Sequence, residues 1–170
     1  MRIGTDRLII EEHTLENVPN LFGILSDPVT MSFWPQPFTY EQSLQWILER
    51  GLKHYKDGIG RYALKRKGTG ELIGDAGILR LETDGVLEND LGYIISSKAW
   101  GTGLGYEAAE ALMRYGFETL KLPRLCANMP ADHTSSRKVA EKLGMKLEKQ
   151  FLNRKNRGIL TCLYALEKTK

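Results

Sequence analysis

The sequence predicts an α/β fold with a mixed, mostly antiparallel sheet. An apolar strand, Leu91–Ile95, runs into glycines at 101, 103 and 105 and then into a long amphipathic helix. Between Thr14 and Leu52 the apolar residues recur at helical spacing, whereas from Arg61 they recur every second residue. The remaining chain alternates helix, strand and helix and closes on a hairpin, which gives the order β-α-α-β-β-β-α-β-α-β-β.

Thr5-Asp-Arg-Leu-Ile-Ile10 reads as the first strand, bounded by charges on both sides. Thr14 starts a helix whose apolar stripe is Val18, Leu21, Phe22 and Leu25, and Ser26-Asp-Pro28 ends it. Two prolines keep Phe33-Trp-Pro-Gln-Pro-Phe38 out of helix and central strand. Thr39 and Gln42 have capping-box spacing, ahead of a helix carrying Leu44, Ile47, Leu48 and Leu52. Tyr62–Lys65 and Glu71–Leu79 are strands joined through Gly68-Thr-Gly70, and Asp90–Ile95 follows after a polar loop. The next helix presents Ala109, Leu112, Met113, Gly116, Phe117 and Leu120 on one face. Its other face holds Glu107, Glu110, Arg114 and Glu118, with Glu110 and Arg114 spaced for an i,i+4 pair. Gly116 on the apolar side points to close approach to the sheet. Leu122–Asn128 is a strand, Ser135–Leu143 a helix stopped by Gly144, and Lys146–Asn153 with Leu160–Leu166 the closing hairpin.

At 170 residues, with 42% hydrophobic and 26% charged positions, one globular domain spanning 1–170 is expected. No apolar run approaches the ~20 residues of a spanning helix and the N-terminus lacks a signal-peptide core, so a cytoplasmic location without membrane contact is expected. A net charge of +3, with bases and acids interleaved, does not favour nucleic acid. Cys126 and Cys162 sit in apolar strands without metal-ligand spacing and read as reduced core residues, so no metal is expected.

The glycines at 101, 103 and 105 let the backbone turn sharply and approach a ligand, and the following helix offers amide donors without intrahelical acceptors. That arrangement suits an anion such as pyrophosphate. A Rossmann fingerprint fails because the third glycine comes one residue early, with Tyr106 in its place; a P-loop fails because no Gly-Lys-Ser/Thr occurs. What remains, Trp100-Gly-Thr-Gly-Leu-Gly105 followed by Glu107-Ala108, resembles the acetyl-CoA signature of the GNAT superfamily of N-acetyltransferases. It is most similar to the branch of ribosomal-protein alanine and serine N-terminal acetyltransferases, Trp100 standing where the broader superfamily has Gln or Arg. Thr5–Ile10, Asp27-Pro28, Asp90-x-Gly-Tyr93 and Glu141-Lys-Leu-Gly144 extend the resemblance over nearly the whole chain.

The resemblance implies acetyl-CoA as co-substrate and direct attack by an amine, without a metal. Backbone groups around Ile94 and Ile95 would pair with the pantetheine arm, the Ile95 amide facing the thioester oxygen. The turn formed by Trp100, Gly101, Thr102, Gly103, Leu104, Gly105 and Tyr106 would hold the pyrophosphate. His133 aligns with an asparagine expected to contact CoA. The tyrosine acid of many relatives falls at Ala140, which leaves Ser136 as the candidate proton donor to the thiolate; a serine there also serves a helix N-terminus. Asp90 is the candidate base, with Glu148 and Tyr164 behind it. Phe33, Trp34 and Phe38 would line the acceptor pocket, in a groove left open between their loop and the Asn153–Gly158 hairpin tip. An open groove favours a peptide N-terminus as acceptor. The alternatives are a small amine (polyamine, amino acid or antibiotic) or an acyl-CoA binder without catalysis. Lys149, Arg154, Lys155 and Arg157 would favour an acidic or phosphate-bearing acceptor. A monomer or a homodimer fits equally.

Overall fold

The computed structural model describes residues 1–168; the last two of the expected 1–170 span lie outside it. The strands are β1 (Arg2–Gly4), β2 (Leu8–Glu12), β3 (Gly60–Arg66), β4 (Leu72–Thr83), β5 (Val86–Ile95), β6 (Arg124–Pro130), β7 (Lys146–Asn153) and β8 (Ile159–Glu167). They form one sheet in the order β1-β2-β3-β4-β5-β6-β8-β7. Only β5 and β6 run parallel; every other neighbouring pair is antiparallel. The helices are α1 (Val18–Leu25), α2 (Tyr40–Trp46), α3 (Leu104–Arg114) and α4 (Thr134–Lys142).

The fold class holds, with local differences. The expected Thr5–Ile10 strand is divided: Thr5 N–H donates to Leu8 O at 2.9 Å, closing a turn that folds a further strand, β1, onto β2. The polar loop expected before Asp90 is instead paired ribbon, because Asp84 (φ 48°) and Gly85 (φ 80°) supply the two left-handed residues of a tight hairpin turn. Thr39 and Gln42 do form the capping box of α2, but the helix continues as a π-helical turn over Ile47–Leu52. That wider turn rotates Leu52 out of the apolar stripe, and it is 39% exposed. On α3, Glu110 accepts from Tyr106 Oη at 2.7 Å instead of pairing with Arg114. Gly116 does lie against the sheet: a methyl group added there would stand 2.9 Å from Ile78 Cδ1. Cys126 and Cys162 are buried and free.

The two larger of three apolar clusters sandwich the sheet. Leu8, Ile10, Ile78, Leu91, Leu125 and Met129 pack under α3 and α4 with Leu104, Leu112 and Ala140. Val18, Leu21, Leu25, Met31, Ile47 and Ile94 form the layer beneath α1 and α2. Residues of β5 therefore alternate between layers, Leu91, Tyr93 and Ile95 toward α3, and Ile94 toward α1 and α2. Between β5 and β6 only Asp90 and Cys126 are in register. Beyond that point the strands diverge, and the gap opens into a cleft of 1430 Å³ reaching both layers.

Candidate active site

On the α3 side the cleft is floored by backbone. Gly101 (φ 73°) and Gly103 (φ 80°) hold left-handed conformations that an L side chain strains, and so turn the chain from β5 into α3. None of the amides of residues 101–106 has a backbone acceptor among the described residues; the first that does is Glu107 N–H, donating to Gly103 O at 3.1 Å. Six successive donors at the positive end of a helix make an anion cradle. The turn is clamped from outside: Arg7 Nη1 donates to Thr102 O at 2.7 Å, and Arg7 Nε to Glu107 Oε2 at 2.7 Å. Glu107, expected on the solvated face, is thus a tie between α3 and the start of β2. Ser96 N–H donates to Ile73 O at 2.9 Å. By antiparallel alternation the Ile95 and Tyr93 amides point away from β4, into the gap. The Ile95 carbonyl is occupied by Trp100 Nε1, which donates to it at 2.8 Å, so the indole N–H braces the loop while 46% of Trp100 stays exposed.

Tyr93, unmarked as a site residue in the sequence, stands at the centre of this face. A methyl group added at Gly105 would come within 3.1 Å of its ring, so the third glycine makes room for the phenol. Burial raises the phenol above its ordinary pKa, and the Ser136 hydroxyl beside it opposes that shift by favouring the ionised form. Ser136 makes no capping bond; α4 starts after His133 without a side-chain cap. Ala140 is 2% exposed, so nothing on α4 replaces the missing tyrosine there. His133 stacks on Phe33, ring centroids 3.7 Å apart and planes 9° from parallel, and burial pushes its pKa down, opposed by Asp132. The imidazole is therefore neutral at pH 7.

The opposite side of the cleft is built from side chains. Asp90 Oδ1 accepts from Asn128 Nδ2 at 2.7 Å, which fixes the carboxyl across the last paired rung of β5 and β6. Its pKa is pushed up to about 6: burial raises it, while the Asn128 hydrogen bond and the charges of Arg61 and Arg50 hold it from going further. A half-buried carboxyl titrating near neutrality can take up and release a proton at physiological pH.

Behind Asp90 lies a buried network that sequence reasoning missed. Asp75, fully buried, accepts from Arg61 Nε at 2.5 Å, and its other oxygen lies 3.1 Å from His13 Nε2. Burial alone would raise the Asp75 carboxyl, but Arg61 and His13 hold it below its ordinary value. Tyr55 Oη closes the network, accepting from His13 N–H at 2.9 Å and donating to Arg61 O at 2.7 Å. Arg61 shares a cross-strand row with Gly77 and Gly92. Its guanidinium reaches over Gly92, where an added methyl group would meet Nη1 at 2.8 Å and Asp90 Oδ2 at 3.6 Å. The glycine of Asp90-x-Gly-Tyr93 was the available signal; its partner, 31 positions upstream, was not visible to local patterns.

The aromatic trio divides. Trp34 and Phe38 pack edge-on against Trp46, at centroid distances of 5.6 and 5.5 Å, whereas Phe33 leaves them for His133. The expected open groove is bridged, because Asn156 Nδ2 of the hairpin tip donates to Phe33 O at 2.9 Å. Glu148 pairs with Arg124, and Tyr164 Oη is tied to Glu141 and Arg137, so neither reaches the cleft.

Residues 7–146 match the family model described as acetyltransferase (GNAT) domain. The uncharacterized N-acetyltransferase YoaA of Bacillus subtilis is 28% identical over 174 residues, covering 99% of this chain and 97% of that one. Among solved structures, an acetyltransferase of the GNAT family from Bacillus anthracis superposes with a TM-score of 0.83 at 24% identity, covering 98% of both chains. RimL, a ribosomal α-N-protein acetyltransferase in complex with coenzyme A, gives a TM-score of 0.81 at 17% identity, again over 98% of both.

Proposed function

The chain belongs to the GNAT acetyltransferase family and is an acyltransferase, and from that premise we propose that it moves an acetyl group from acetyl-CoA to a primary amine by direct attack. The observation that carries this reading is the gap between β5 and β6, with unpaired amides on one face and the Asp90 carboxyl on the other. Acetyl-CoA supplies an activated carbonyl and a thiol leaving group. The amides of residues 101–106 would hold its pyrophosphate, and the Ile95 N–H would stabilise negative charge developing on an oxygen in the gap. Asp90 takes the proton of the attacking amine. Ser136 Oγ, with the Tyr93 phenol beside it, holds the proton that the cofactor side requires. Phe33 stacked on His133 keeps bulk water from the mouth between the faces.

For the acceptor we favour an amine at a peptide N-terminus, supported by the name of RimL. Release of free CoA thiol and the melting temperature test the whole reading. Acetyl-CoA at a hundred times its dissociation constant should stabilise the protein by about 2.7 kcal/mol. An unmoved melting temperature in millimolar acetyl-CoA sinks it.

A further inference from the structure

Resting on this assignment of the cleft to amine acetylation, we infer that the acceptor carries an anionic group a few bonds from its amine, bound by Arg50 and Arg61 beside the Trp46 indole. Arg50 lines the cleft without an acidic partner among the described residues, its guanidinium carbon 5.7 Å from the Trp46 ring centroid. Arg61 lies 5.4 Å from the same centroid and spends Nε and Nη2 on Asp75, leaving Nη1 without a hydrogen-bond partner above Gly92. Trp46 Nε1, between them and the core, is buried with no acceptor among the described residues. Arg50 and Arg61 thus bring two cationic groups with unused donors to the cleft lining beside Trp46, and an incoming anion would answer them.

Separation sets the kind of molecule. Arg61 Nη1 and Asp90 Oδ2 flank the same point above Gly92, so an amine at Asp90 and an anion at the guanidinium groups belong to one short zwitterionic unit. An acidic amino acid, an aminoalkyl phosphate, or a peptide whose first residue is acidic has this form. A polyamine or an aminoglycoside would set further cations against Arg50 and Arg61. At the far end of the cleft Asp84 is already answered by Lys149 at 2.7 Å, while the Glu82 carboxylate has no ion-pair partner among the described residues and is the place where a second cation of a polyamine would have to go.

The test compares acceptor pairs that differ only in the anion, with saturating acetyl-CoA. The pairs are L-glutamate and L-glutaminamide, O-phosphoethanolamine and ethanolamine, and the amidated peptides Glu-Ala-Ala and Gln-Ala-Ala, with spermidine alongside. In at least one pair kcat/KM should favour the anionic member tenfold or more, chiefly through KM, and Arg50→Gln should pull that ratio toward one. The pair showing the largest ratio identifies the source of the anion. Equal or reversed ratios in all three pairs, spermidine outperforming every anionic acceptor, or a ratio unchanged in Arg50→Gln would each overturn the inference while leaving acetyl transfer in place. Calorimetric titration of the same anionic compounds into CoA-saturated protein provides a readout without turnover. Binding that Arg50→Gln weakens tenfold supports the site, and binding indifferent to Arg50 refutes it. Failure of acetyl-CoA itself to stabilise the protein would instead count against the underlying assignment.

Discussion

The two faces of β5 meet the same cleft with unlike chemistry. Toward α3, Tyr93 and Ile95 border a surface whose polar contacts are mostly main-chain: free amides, two left-handed glycines and a helix terminus. Toward α1 and α2, Asp90 and Gly92 border a surface of ionised side chains, Asp75, Arg61 and Arg50, set among tryptophans. Main-chain donors are present whatever the side chains are, so the holding of an anion on that face depends chiefly on backbone conformation. The charged face depends on the identity of each residue, which makes it the side where acceptor preference can be changed by single substitutions.

The comparison is broken most severely by disabling the main-chain face. Gly103→Val puts a β-branched side chain at φ 80°, which should abolish both turnover and the roughly 2.7 kcal/mol of stabilisation by acetyl-CoA. A variant that still shifts in melting temperature with acetyl-CoA would show that the cradle does not depend on this conformation. On the charged face, Asp90→Asn should lower kcat/KM by about 10²–10³-fold. The wild-type profile should fall below pH 6 as the carboxyl gains its proton, and the variant should lose that limb. A profile unchanged by the substitution would remove Asp90 as base.

These two faces also differ in how far the sequence exposed them. The cradle is contiguous, a strand, turn and helix inside residues 91–107, and glycine spacing marks it at short range. Its later members were less visible: Tyr93 looked like a strand residue because its partners, Gly105 and Ser136, meet it only after the chain folds over the gap. The charged face joins His13, Trp46, Arg50, Arg61, Asp75 and Asp90, brought together by cross-strand register that no local period reveals. Of the basic hairpin expected to favour an acidic acceptor, Arg154 and Lys155 do line the cleft, while Lys149 is paired with Asp84. In the fold, elements with strong periodicity emerged in the right order, and the misses were a turn at Thr5, a hairpin at Asp84-Gly85 and the π-helical turn that takes Leu52 off its stripe, each decided by a few backbone angles.

A smaller effect sharpens the cofactor side. Ser136→Ala should reduce kcat by about 10²-fold with little change in acetyl-CoA affinity, since Ser136 caps nothing in α4. Tyr93→Phe, which keeps the ring against Gly105 and removes only the hydroxyl, should cost about tenfold if the phenol relays the proton to Ser136. Unchanged kcat in both variants would leave solvent as the only proton source on this face.

The smallest effect is thermodynamic and separates the charged face from the rest of the molecule. Asp90 has a folded-state pKa of about 6 against an ordinary 3.8, so the folded protein binds its proton more tightly than the unfolded chain. Stability from this group is therefore full below about pH 3.8, falls between there and pH 6, and is lost above. Ionised Asp90 then costs about 1–3 kcal/mol at pH 8, a figure that already includes the favourable charges of Arg61 and Arg50. Asn at this position keeps an oxygen for Asn128 and carries no charge, so Asp90→Asn should melt a few degrees higher than wild type at pH 8 and converge with it only below about pH 3.8. Asp75 works in the opposite direction, with a lowered pKa whose stabilisation disappears only in acid, but it is common to both proteins and cancels from the difference. A variant that is less stable than wild type at pH 8 would mean that the Asp90 charge is paid back in full by the two arginines, and the carboxyl would then titrate well below 6.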